Sequence, residues 1–214
     1  MQKNTKVFSF HTLLLLLFAF SGINGAFGQF GLQPGLMVPA DNYYSYALKP
    51  GVGADFVAKA NLGDIDSRYK IGFLMGYYVF QPTQDTFQTY AIGGNPVQLL
   101  PGYEVIHSYS ILQFGLSNDF KILKDSRFSP FVGLDLGMDV FDISHDDYAE
   151  TLIQSSVTND IFYNYLIIPR AGVQYQLSDN WLFSLGIGRS MGFAGSFGAQ
   201  TFWKIFITIC HVSD

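Results

Sequence analysis

The side chains best able to do chemistry fall into three groups along the chain. Asp142, His145, Asp146, Asp147 and Glu150 crowd carboxylates around one imidazole. Hard divalent cations take several oxygen ligands, so such a set could hold one. The spacing fits no calcium-binding loop, however, and an acidic solvated loop is the commoner origin of such a run, so no metal is expected. His107 with Ser108 and Ser110 offers a base beside two hydroxyls, but no third group that would orient the imidazole can be assigned. No glycine-rich phosphate loop, CxxC pair or nucleophile elbow is present, so neither a cofactor nor catalytic residues are expected. The third group is Asp55, Lys59, Lys70, Asp119, Asp135, Arg170 and Lys204. These are scattered in sequence, yet each lies in a stretch of alternating character.

The clearest such stretch is Phe128 to Phe141. Phe128, Pro130, Val132, Leu134, Leu136, Met138 and Val140 form an apolar row, against Ser129, Phe131, Gly133, Asp135, Gly137, Asp139 and Phe141. A period of two is that of a strand with chemically opposite faces. The same alternation recurs over Phe30–Val38, Gly51–Asn61, Tyr69–Phe80, Tyr103–Ile122, Phe162–Leu177, Trp181–Met191 and Gln200–Val212, giving eight strands. Their connections run long, short, long, short, long, short, long; the segments 81–102, 142–160 and the glycine-rich Gly192–Ala199 read as loops.

Ahead of the strands, residues 1–28 read as a secretory signal peptide. Lys3 and Lys6 precede an apolar run centred on Leu13 to Phe20, and Ala26-Phe27-Gly28 is a small-x-small cleavage site. Its removal moves the formal charge from −5 to −7, which argues against a nucleic-acid partner. After residue 29 no apolar run is long enough for a helical membrane span. The single Cys210 permits no internal disulfide and reads as a small buried or lumen residue. Only 14% of residues are charged, and 21 Phe and 13 Tyr enrich the chain in aromatics.

An even number of strands with alternating short and long connections is the signature of an outer-membrane barrel. Twelve strand glycines (31, 35, 51, 53, 72, 76, 115, 133, 137, 172, 186 and 188) all fall opposite the apolar row. The interior of an eight-stranded barrel is just wide enough for side chains, so inward positions must often be small. In a soluble sandwich those glycines would lie on the solvent face, where packing does not select them. With the export segment, the eight-strand meander and phrases such as Ser129-Pro-Phe-Val-Gly-Leu-Asp-Leu-Gly and Leu177-Ser-Asp-Asn-Trp-Leu, residues 29–214 resemble the porin-like outer membrane protein beta-barrel family. That family is similar in architecture to the OmpA and OmpX barrels. The resemblance implies an all-β, eight-stranded antiparallel up-and-down transmembrane barrel in the outer membrane of a Gram-negative cell, in contact with lipid.

On this reading the apolar rows face lipid and the charges face the lumen. Counting up from the short turns puts Asp55, Asp135, Arg170 and Lys204 at a similar height, so they are expected to pair with Arg170 as the centre. Lys59, Lys70, Asp119, Lys121 and Gln174 are expected to form a wetter layer beneath. Higher inward positions, Tyr78, Phe80, Tyr109, Ile111, Phe141, Leu166, Ile168 and Phe202, are large and mostly apolar. They either fill the barrel or line a pocket for an apolar ligand. The expected function is a non-enzymatic barrel with a plugged polar lumen, its segments 81–102 and 142–160 contacting a partner. The alternatives are an apolar-ligand carrier and an accessory subunit of a larger outer-membrane secretion or transport machine.

Overall fold

The computed structural model describes residues 28–40, 47–61, 68–84, 86–93, 98–123, 126–149, 152–195 and 200–212. The segment read as a signal peptide lies, apart from Gly28, outside them. Nine strands follow in order: β1 (Gln29–Pro39), β2 (Gly51–Asn61), β3 (Tyr69–Phe80), β4 (Phe87–Gly93), β5 (Gln98–Lys121), β6 (Phe128–Ala149), β7 (Leu152–Ser178), β8 (Trp181–Gly195) and β9 (Thr201–Val212). All neighbours are antiparallel. β3 pairs directly with β5 and β1 with β9, so eight strands close into an up-and-down barrel and β4 stands outside the circle.

Closure follows from the two-faced strands. The apolar rows point outward and remain exposed, including Leu32, Val52, Leu116, Val132, Leu185 and Ile207. A continuous apolar surface of this extent belongs in hydrocarbon, where only a structure without open strand edges satisfies its backbone. Aromatic side chains bound the belt on both sides. Phe120, Phe128, Tyr175 and Trp181 ring the short-turn end, and Tyr77, Tyr165 and Trp203 ring the other.

The inward rows climb as they pass around the wall. From Ser129 on β6 the register leads to Gln174, Ser184 and Thr208, whose hydroxyl donates to Gln33 Oε1 at 2.9 Å. It continues through Asp55, Gly76 and Gln113, and returns to β6 at Asp139, ten residues above its start. This stagger is the shear that closes a tilted sheet. Glycines on the inner wall make room for large rings. A Cβ on Gly186 would lie 2.4 Å from Phe206 Cζ, and one on Gly172 would lie 2.6 Å from Phe131 Cε1.

Two expected loops are instead strand. Within 81–102, β4 folds against the start of β5, from Phe87↔Glu104 to Gly93↔Gln98. Within 142–160, β6 and β7 stay paired through Asp142↔Ile161 and Asp147↔Ser156. β8 likewise runs on to Gly195, past the expected end at Met191. Above Ile143, which still packs with the lumen rings, the sheet rises past the barrel and its faces no longer divide lipid from lumen. The chemical contrast that produces alternation is therefore missing, although the strands continue.

Candidate functional site

The inward side chains form two charged groups and an aromatic one. In the first group, Arg170 on β7 reaches across Gly133 on β6 to Asp119 on β5, for Arg170, Gly133 and Asp119 share one register row. Its Nη2 donates to Asp119 Oδ1 at 2.6 Å and to Ser117 Oγ, and lies 3.1 Å from Asp135 Oδ1. The guanidinium carbon also stands 5.8 Å from the centroid of the Phe206 ring. Lys59 pairs with the other oxygen of Asp119. In the second group, Lys204 on β9 donates to Asp55 Oδ1 at 2.9 Å and to Gln113 Oε1. Asp55 Oδ2 accepts from Gln33 Nε2 at 2.7 Å and from the Tyr78 hydroxyl at 3.1 Å. Gln113 Nε2 in turn donates to Asp139 Oδ1 at 2.8 Å.

Asp55, Asp119, Asp135 and Asp139 face Lys59, Lys70, Arg170 and Lys204, and all eight are buried. Four formal charges of each sign thus meet out of water, where an unpaired one would cost several kcal/mol. The pairing differs from the single level expected from counting. Asp119 belongs with Arg170 rather than to a wetter layer below it. Asp55 and Lys204 form a pair of their own. Because the register rows climb around the wall, the partner two strands away from Arg170 is set by the stagger, not by distance from a turn.

Above these groups, Tyr78, Phe80, Tyr109, Ile111, Phe141 and Phe202 pack with Met37, Phe87 and Ile143 in one cluster. Phe80 meets Tyr109 edge-on with ring centroids 5.4 Å apart and Phe202 at 5.5 Å. The Tyr109 hydroxyl donates to Gln200 Oε1 at 3.1 Å. Leu166 and Ile168 are buried apart from the rings, beside Leu74, Gln113 and Asp135, around a space with essentially no free volume. A second void, between Gln33, Lys59, Arg170, Gln174 and Cys210, measures about 10 Å³, close to the volume one water needs. Lys204 Nζ lies 5.1 Å from the Tyr78 ring centroid, joining the charged groups to the aromatic one.

Gln33, Gln113, Ser117 and Asp139 join these groups although none is among the residues expected to pair. The available signal was their chemistry. A buried carboxylate or amide on a narrow wall must find a partner on the neighbouring strands.

The groups above the barrel are arranged differently. His145 lies across three strands, with Nδ1 3.0 Å from Glu104 Oε1 on β5 and Nε2 3.1 Å from Asp160 Oδ2 on β7. His107, at the bulge between Ile106 and Ser108, points Nε2 at Asp146 Oδ2, 2.9 Å away. Among the described residues no hydrogen bond joins His107 to Ser108 or Ser110, and no three His, Cys, Asp or Glu side chains converge as a metal set would. Asp142 is exposed on the outer face, and Glu150 lies outside the described residues. His145→Ala is expected to loosen this projecting sheet without touching the barrel. Loss of bonds worth about 1 kcal/mol should speed proteinase K cleavage between residues 142 and 160 roughly fivefold, with the membrane-embedded fragment still protected. An unchanged cleavage rate would show that the His145 bridge does not hold the three strands together.

No model of a known protein family matches the chain, and no curated protein matches it in sequence. Solved structures do match. The Neisserial surface protein A (NspA) superposes with a TM-score of 0.57 at 12% identity, over 89% of this chain and 100% of that one. The outer membrane protein OprG from Pseudomonas aeruginosa gives 0.47 at 11% identity, over 87% and 96% of the two chains. A major outer membrane protein from Thermus thermophilus gives 0.48 at 11% identity, over 86% and 98%. With its closed wall, apolar belt and paired girdles, the chain has the fold of an eight-stranded, up-and-down outer-membrane barrel.

Proposed function

We propose that this is a non-enzymatic outer-membrane protein whose barrel is a closed post, with the sheet β4–β7 presented outside the membrane for contact with a partner. The lumen packing carries this reading. Interlocked rings lie above two buried groups of hydrogen-bonded charges, and the two voids described beside them are at most about water-sized. A carrier for an apolar ligand needs a continuous cavity of roughly 300 Å³ or more. A selective pore needs charges that water can reach.

The partner half of the proposal rests on surface chemistry. Ile161 lies beyond the upper girdle and is exposed by 71%, while Tyr163 and Phe193 flank the girdle residue Tyr165 with ring centroids 6.2 and 6.3 Å from it and extend the exposed apolar surface up to it. Apolar side chains held outside the lipid are suited to a protein surface. That favours the accessory-subunit reading over a barrel acting alone.

Planar-bilayer recording tests the closed lumen: reconstituted protein should give no single-channel steps across the accessible voltage range. Regular steps of uniform size would overturn it. Crosslinking in cells followed by extraction in mild detergent tests the partner. One stoichiometric companion, lost on Ile161→Ser with Phe193→Ser, is the expected result.

A further inference from the structure

Among the described residues, the outward positions of the eight barrel strands, from the lower girdle to the upper, carry one charged side chain, Arg189 on β8. It lies in the upper girdle, for its register partner is Trp203 on β9, and its guanidinium carbon sits 5.4 Å from the Trp203 ring centroid. Arg189 is exposed, and no carboxylate lies within ion-pairing distance of it among the described residues. Directly below, Ile187 and Ile205 are exposed apolar side chains facing the hydrocarbon. An Arg on the lipid face is tolerated near the interface, where it reaches headgroups, and its planar fork matches a phosphate in bidentate fashion.

We propose that Arg189 and Trp203 form a binding site for the phosphate group of an anionic lipid in the leaflet at the long-strand end of the barrel. The guanidinium holds two phosphate oxygens, the indole supports the guanidinium from its face, and Ile187 and Ile205 lie against the first acyl segment. The source of the phosphate is the membrane, because the site opens sideways into lipid at girdle height. The proposal rests on the outward rows facing lipid and is independent of whether the lumen conducts.

The test uses the full chain in phosphatidylcholine vesicles. The chain has two tryptophans, and Trp181→Phe leaves Trp203 as the fluorophore at the site. Quenching of Trp203 by brominated phosphatidic acid is compared with quenching by brominated phosphatidylcholine. A preference for phosphatidic acid of roughly fivefold is expected, the scale of one basic residue at an anionic surface. It should fall to about one in Arg189→Gln and stay intermediate in Arg189→Lys, which keeps the charge but not the fork. Heat-modified gel mobility checks that each variant is folded. Should Trp181→Phe not fold, the parent chain serves, since Trp181 sits in the opposite girdle and adds a constant background. An unchanged preference in Arg189→Gln, or none in the parent, overturns the proposal. Abolition of the preference by millimolar inorganic phosphate also overturns it, because the site would then take a free anion.

Discussion

Arg170→Ala is expected to destabilise the barrel by about 3–5 kcal/mol, the range seen when one member of a buried ion pair is removed. The loss is large because Asp119 and Asp135 both stay behind, and both are buried. Asp119 keeps Lys59, whereas Asp135 has no other ion-pair partner among the described residues, so its carboxylate is the more exposed to the change. Urea unfolding in lipid vesicles gives the number. Combining Arg170→Ala with Asp119→Ala should cost less than the two single changes together, by about 1–3 kcal/mol, since the pair is lost once. A shortfall is expected with Asp135→Ala as well, since its carboxylate is left without an ion-pair partner once Arg170 is gone. Strict additivity for both would mean that the guanidinium does not hold these carboxylates.

Gly133→Ala should act on the same group from the wall. A Cβ there would lie 2.6 Å from Asp119 Oδ1, 2.9 Å from Arg170 Nε and 2.7 Å from the Asn118 carbonyl oxygen. The side-chain ends can move aside only by lengthening the Arg170–Asp119 bond, and the carbonyl belongs to the ladder and cannot move. Overpacking of a fixed site typically costs about 1–3 kcal/mol, and a weakened ion pair adds to it. In an Arg170→Ala background the cost should shrink without vanishing, because the clash with Asn118 remains. A full-sized effect in that background would place the strain entirely in the backbone, and no effect in either would remove Gly133 from the account.

Why some of this could be read from sequence and some could not has a physical basis in particular residues. Leu134 and Asp135 sit side by side yet meet hydrocarbon and a buried guanidinium, and that contrast writes itself into the chain with a period of two. It therefore revealed the eight barrel strands and the inward position of every charge in the lumen. Ser144 and His145, both polar and both half-buried, have no such contrast to record, so the upper part of β6 carries no period. Which charge meets which was hidden for another reason. Asp55 and Asp119 both face inward, but their partners depend on how far each strand is offset from the next. That offset is a property of the closed wall rather than of any one segment. The girdle position of Arg189 was equally out of reach until Trp203 was known to lie beside it.

The pairing of β1 with β9 bears on how such a protein comes to exist. Gln29 lies opposite Val212 and Pro39 opposite Phe202, so the hydrogen bonds that complete the wall join the first strand of the barrel to its last. A chain short of β9 would present two open strand edges, and in hydrocarbon each unmet backbone group costs several kcal/mol. Strand-by-strand insertion during synthesis is therefore uphill until the final twelve-residue strand is in hand. Contacts of such long sequence separation also form slowly. The polypeptide must be kept from collapsing or aggregating in the aqueous space it crosses, and then be committed to the bilayer in one concerted step. A truncation anywhere before Thr201 should consequently yield no shortened barrel at all, only material for a protease.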